Sequence, residues 1–393
     1  MKGQVRLLAA ALASAGCLSP AVASDHLDSP TVIADPAADI GDLYAWMSPD
    51  GQRLNLVMDV VGKRFSDRIA YVFHVDSGRR FGKAATTTTI DCRFDAAGLA
   101  RCEAAGDRAS GVADRPAGIE SQKRTFRVFA GLRDDPFANN VRGTGQAYEV
   151  AERALKAGIA KDPAGCPAFD ASIAREMLDR WRHTDGAPAK NFLAGWKTGA
   201  LVVSIDVASV DRGGELLAVW AGAYALGAHG RGSRLDRMGR TLTGNALLGL
   251  FDSEENANRR KEQYNRAAQK DWESFVPDIE KSLAVYDAFD GVCGNQWLAA
   301  GAATPDRYRN LARLLADDRL WVDTRRKECK RYMAVEQSLD VRSSDCGGRT
   351  PIGDAVDVYR SLLINGSEAG VEDGVVEDDK VHSTTDFPFL AEP

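Results

Sequence analysis

Apolar and polar residues alternate along much of the first half of the chain. Leu54, Leu56, Met58 and Val60 fall on every second position, as do Ile69, Tyr71, Phe73 and Val75. A period of two is that of a strand with one buried face, so both runs predict strands. Thr86 to Phe94 is β-branched and reads as extended. Thr125 to Ala130, Leu201 to Val207 and Leu216 to Trp220 complete the set of expected strands. Two helical stretches lie between them. One is Glu149 to Ile159. The other is Phe169 to His183, with Ile173, Met177, Leu178 and Trp181 in helical register. Gly78, Gly98, Pro116, Gly131 and Pro136 mark turns.

The pattern changes near residue 240. Ser253 to Gln269 is strongly polar and reads as a solvated helix or a loop. Trp272, Phe275, Ile279, Leu283, Tyr286 and Phe289 then recur at helical spacing. Pro305 is expected to open a helix to Ala316, and Pro351 one to Leu363, because Pro fits a first helical turn. The order is mostly β, then mostly α. The expected fold class is therefore α+β: a β-sandwich-like antiparallel sheet core with a largely helical C-terminal part. The boundary falls between residues 24–235 and 236–393, and the pattern leaves open whether these are one domain or two.

The first 23 residues differ from both regions. Lys2 and Arg6 precede an apolar run from Leu7 to Leu18, and Ala21-Val22-Ala23 is a small-x-small cleavage signature. This predicts a signal peptide cut after Ala23 and a periplasmic or extracellular location. Removing Lys2 and Arg6 takes the net charge from −6 to −8, and Cys17 leaves with them, so the seven cysteines become six. An even count in an exported chain predicts disulfides, with fifteen pairings of six cysteines open. Short loops favour Cys92–Cys102 and Cys329–Cys346, which would leave Cys166 with Cys293. No later apolar run reaches the ~18 residues of a membrane span. An acidic chain without a basic tract is unsuited to nucleic acid.

Candidate chemistry is sparse. The sequence has no G-x-S-x-G, H-E-x-x-H, phosphate-loop or EF-hand pattern. The glycines Gly227, Gly230 and Gly232 read as a turn. Cleavage after Ala23 would make His26 the third residue of the mature chain. The Ser24 amine, the Asp25 and His26 amides and the His26 imidazole could then enclose Cu(II) in a square plane. Alternatively, His26 and Asp28 tie the segment down by hydrogen bonds. Asp25, Asp28, Asp35, Asp39 and Asp42 could supply oxygens to calcium, or serve as turn and cap residues. Arg133-Asp134-Asp135-Pro136-Phe137 could be a ligand loop, and Asp236, Arg237 and Arg240 could meet a bound anion. Ion pairing within the fold is the structural expectation for both groups. His74 is expected in the packed sheet. Gly239-Arg240-Thr241 and Gly348-Arg349-Thr350 echo one another, each ahead of an apolar helical stretch.

Several of these segments together resemble a family of secreted bacterial proteins catalogued as domain of unknown function 4331. They are Ser24 to Pro30, Asp35 to Trp46 with Ser48-Pro49-Asp50, Ala130 to Phe137, Asp236 to Arg240, Gly348 to Pro351 with Asp354, and Phe387 to Leu390. They occur in the family's order, although its closing histidine after the final proline is missing. The resemblance implies export and no known activity. The leading expectation is a non-enzymatic binding or surface-associated protein that takes a metal ion near its N-terminus or a cell-surface partner. The second is a hydrolase or metal-dependent enzyme using loop carboxylates and His26.

Overall fold

The computed structural model describes residues 26–299, 304–339 and 343–393. The expected signal segment, Ser24 and Asp25 lie outside them. A short helix, α1 (Pro30–Ala34), leads into the hairpin of β1 (Ile40–Met47) and β2 (Arg53–Val60). Strands β3 (Ile69–Gly78), β4 (Thr86–Phe94), β5 (Ala100–Ala104) and β6 (Asp107–Gly111) form an antiparallel meander. After β7 (Ile119–Glu120) and β8 (Phe126–Asp134) come α2 (Val141–Lys156), α3 (Ala171–Arg182) and the small pair β9 (His183–Thr184) and β10 (Ala187–Pro188). The long strands β11 (Lys197–Asp206), β12 (Leu216–Gly227) and β13 (Gly230–Met238) follow.

Two antiparallel sheets result. One has the order β1-β2-β11-β8-β7, and the other runs β13-β12-β3-β4-β5-β6. Leu43, Leu56, Met58, Leu201, Val203 and Val128 of the first share one apolar core with Tyr71, Phe73, Ile90, Val219 and Ala221 of the second. This is the expected sandwich, held by burial of apolar surface between facing sheets.

The C-terminal part is largely helical: α4 (Thr243–Leu247), α5 (Glu254–Arg266), α6 (Val276–Tyr286), α7 (Arg309–Ala316), then β14 (Leu320–Asp323), α8 (Ala334–Ser338) and α9 (Ala355–Asn365). It is stitched to the sheets. β14 pairs with the first half of β12, and Arg349 bridges to Ala45 on the free edge of β1. Gly348 is needed there, because a Cβ would lie 2.1 Å from the Ala45 carbonyl oxygen and its φ is +71°.

The outer face of the first sheet is also covered. Tyr44, Trp46, Val57, Phe129 and Val202 pack under Phe389 and Leu390 of the chain's last segment, and the Trp46 indole donates to the Thr384 carbonyl at 3.0 Å. Disulfides join Cys92 to Cys102, Cys166 to Cys293 and Cys329 to Cys346. None of the described helices is long and apolar enough to cross a membrane.

Several helix starts differ from expectation. α2 begins at Val141 rather than at Glu149. α7 begins at Arg309 rather than at Pro305. α9 begins after Asp354, whose carboxylate accepts the Asp357 N–H, while Pro351 sits in the preceding turn. A carboxylate that satisfies a free N–H is the stronger start signal. The glycine cluster is the turn of the β12–β13 hairpin.

Candidate binding site

The residues of the 133–137 loop separate. Arg133 lays its guanidinium over the Phe129 ring at 4.5 Å. Asp134 and Asp135 follow at the end of β8 and turn to different partners.

Asp135 faces the N-terminal segment. It is fully buried, takes the Phe137 N–H at 3.0 Å and meets His26 Nε2 at 2.9 Å. The His26 ring lies between Phe137 and Trp196 and presses on Gly41. Gly41 is the extra residue of a bulge in β1, which turns Ile40 inward and sends Asp42, Tyr44 and Trp46 to the outer face. Asp42 pairs with Arg349, whose guanidinium covers Tyr44 at 4.1 Å. Directly across from Asp42 on β2 stands Asp59, with no exposed surface. Thr198 is its near hydroxyl but does not meet hydrogen-bond geometry.

The charges here are strongly perturbed. Burial opposes a charged His26, but the Asp135 hydrogen bond and the charges of Asp135, Asp42 and Asp39 outweigh it and lift the imidazole to about 10. Burial pushes Asp42 up to about 7 against the pull of Arg349, with Asp135 adding to the rise. Burial, then the charges of Asp135 and Asp42, hold Asp59 well above the usual carboxylate range.

Asp134 joins a second group. Burial and the Asp378 carboxylate push it up to about 7. Burial works against a charged Asp378 too, but hydrogen bonds from His382 and the Lys380 N–H hold it low. His382 takes the Ala391 N–H on Nδ1 at 3.2 Å, so Nδ1 carries a lone pair and Nε2 carries hydrogen toward Asp378. Both ring nitrogens are spoken for.

This second group borders a cleft of about 220 Å³ between the 351–356 turn and the 376–382 loop. Asp354, Glu377, Asp378 and Asp379 contribute acids, against Lys380 and the buried Arg349. Ile352, Val376 and Val381 stand on its rim at 57%, 65% and 93% exposure. Burial, and behind it the charge of Asp373, push Asp354 up to about 6, although the Asp357 N–H favours its charge.

The remaining candidates serve other partners. Asp28 lies 3.9 Å from Lys261 and takes a bond from Asn245 at 3.4 Å. Asp35 caps the turn at Ala37, and Asp39 accepts the Leu27 N–H at 2.7 Å. Of the five aspartates named as calcium ligands, Asp28, Asp35, Asp39 and Asp42 thus turn to separate partners, and Asp25 lies outside the described residues. Asp236 accepts the Ile40 N–H and an Asn265 amide. Arg237 clasps Asp318, and Arg240 lies fully buried 3.7 Å from Glu336. His74 stacks on Trp220 at 3.7 Å and bonds the Tyr224 hydroxyl.

Asp59 and Asp378 did not stand out in the sequence. Asp59 had one signal: an acid on the polar side of an alternating strand. No protein-family model, no curated protein and no solved structure matches this chain.

Proposed function

We propose that the chain is an exported, non-enzymatic binding protein whose ligand is a small organic cation with an apolar flank, taken up in the cleft between Phe137, Asp354 and His382. One observation carries this reading. The two most exposed large apolar side chains among the described residues, Val381 and Val376, stand on the rim of a cleft where acids outnumber bases. Exposed apolar surface gathered at one concavity, with a few charged groups inside it, suits a ligand that is part apolar and part charged. The sign of the charge follows from the acids. Binding rather than catalysis is supported by His382, whose two nitrogens are both committed to hydrogen bonds within the fold.

Export is part of the proposal. It is supported by the signal-like first 23 residues and by three disulfides, which persist in oxidising compartments. Kinship with the secreted family of unknown function belongs to the same reading and adds no activity to it.

The test is calorimetric titration with phenethylammonium and butylammonium beside the matching neutral alcohols. The ammonium compounds should bind and the alcohols should not. Binding should tighten as pH rises through about 6, where Asp354 ionises. Asp354→Asn keeps the helix cap, since Asn caps as well as Asp, and should weaken binding by about fivefold or more. Alcohols that bind as well as their ammonium analogues would sink the proposal.

A further inference from the structure

Three groups of side chains bring metal-ligating atoms within 4.8 Å of one another among the described residues. The first, Cys166 with Asp287 and Cys293, is spent: its two sulfurs form a disulfide. The second, Asp134 with Asp378 and His382, is blocked by the imidazole. Its Nδ1 accepts the Ala391 N–H, so a neutral ring must carry hydrogen on Nε2, the atom that faces the carboxylates. The third is His26, Asp42 and Asp135, where His26 Nε2 meets the Asp135 carboxylate at 2.9 Å.

An independent observation points to the same place. Asp59 is fully buried, and neither of its oxygens has a hydrogen-bonding partner among the described residues. One oxygen of Asp42, Oδ2, is in the same condition. Asp42 and Asp59 are direct cross-strand partners and point to the same face. A buried carboxylate without a partner is costly, and a cation is the partner it lacks. Around this point stand Asp39, Asp42, Asp59 and Asp135 against His26 and Arg349, so acids exceed bases.

We infer that His26 Nε2 and the carboxylates of Asp42 and Asp135 form a binding site for a first-row divalent cation of the Mn²⁺ or Zn²⁺ kind, beside the unpartnered Asp59 carboxylate. One imidazole with carboxylates is a donor set those ions accept. Ligands about 2.1 Å from one ion lie no more than about 4.2 Å apart, so the three clustered atoms need only small shifts to share it. Asp59, across from Asp42 on β2, adds a further buried carboxylate beside the three ligands. Binding moves the His26 Nε2 proton to solvent and replaces it with the ion. This site differs from the N-terminal square plane with Cu(II): it needs no free amine, and its carboxylates come from β1 and the end of β8. It adjoins the cleft at Asp354 through Arg349 and Phe137, but none of its ligands lines that cleft.

The experiment uses the full secreted chain, stripped with EDTA and titrated with MnCl₂ and ZnCl₂ in separate runs. At least one ion should bind one-to-one, and Asp59→Asn should weaken it about tenfold or more. Circular dichroism checks that the variant folds, and His26→Gln provides a second variant with the same expected loss. Asp354→Asn should leave metal binding unchanged, which keeps this outcome independent of the cleft. No binding of either ion at about 1 mM overturns the inference. So does binding that both Asp59→Asn and His26→Gln retain within about twofold.

Discussion

Gly41 has no side chain, and the His26 ring takes the space. A Cβ on Gly41 would lie 2.7 Å from His26 Nε2, inside any real contact distance. Gly41→Ala should therefore expel the ring and leave Asp135 buried beside Asp42 and Asp59. Breaking a buried pair from one side costs more than the pair's net worth, so the loss should be about 2–4 kcal/mol in urea unfolding at neutral pH. A variant as stable as the parent would show that His26 does not hold the segment. The sequence offered His26 as a candidate through its place near the expected cleavage point. It offered no means of seeing Gly41, because a bulge changes which side of a strand a residue faces without changing composition. Asp135 was legible as part of a distinctive loop. Its separation from Asp134 was not, since two neighbouring acids look alike until a strand end turns them apart.

The first turn of α9 sets two effects against each other. Asp354 and Asp357 sit where the helix dipole favours negative charge. Burial and mutual repulsion win: Asp357 is pushed up to about 8 by burial and the charges of Asp354 and Asp373, and Asp354 rises to about 6. Both stand above the ordinary value of 3.8 expected in the unfolded chain. The folded state thus holds protons that the unfolded state releases. That contribution is fully present below about pH 4 and is lost as pH rises through about 6 and then about 8. Urea midpoints should fall between about pH 5 and pH 9, and Asp357→Asn should flatten part of that slope. A slope identical in the variant would remove Asp357 as a cause.

Strands were legible where the sequence alternates, even where both faces are buried, as in β2 and β3. β4 matches its expected span, and β2 and β3 come within a few residues of theirs. β1 was missed as a strand because Leu43 to Met47 is an unbroken apolar run, which erases the alternation. β13 was hidden behind its turn glycines.

At the scale of the whole molecule, the sandwich and the helical part are joined by more than one kind of link. The Cys166–Cys293 bond spans 127 residues and ties the loop before α3 to the segment after α6. Cross-links that close long loops restrict the unfolded chain most, so the double substitution Cys166→Ser with Cys293→Ser should cost about 2–5 kcal/mol. The 10-residue Cys92–Cys102 loop within the β4–β5 hairpin should matter less. Comparing urea midpoints of the two double variants checks the order, and equal losses would contradict it. The fold class was readable at this scale because burial patterns differ between the two halves. The candidate sites were not, since they gather His26, Asp42, Asp59, Asp135 and Arg349 from distant parts of the chain.

One further consequence lies in how Trp46 and Tyr44 are covered. They belong to the first strand of the first sheet, yet Phe389 and Leu390, at the other end of the chain, seal them. A ribosome makes β1 early and its cover much later. The outer face of that sheet stays uncovered until residues 387–390 have been made, so its packing is completed after the strands themselves can pair.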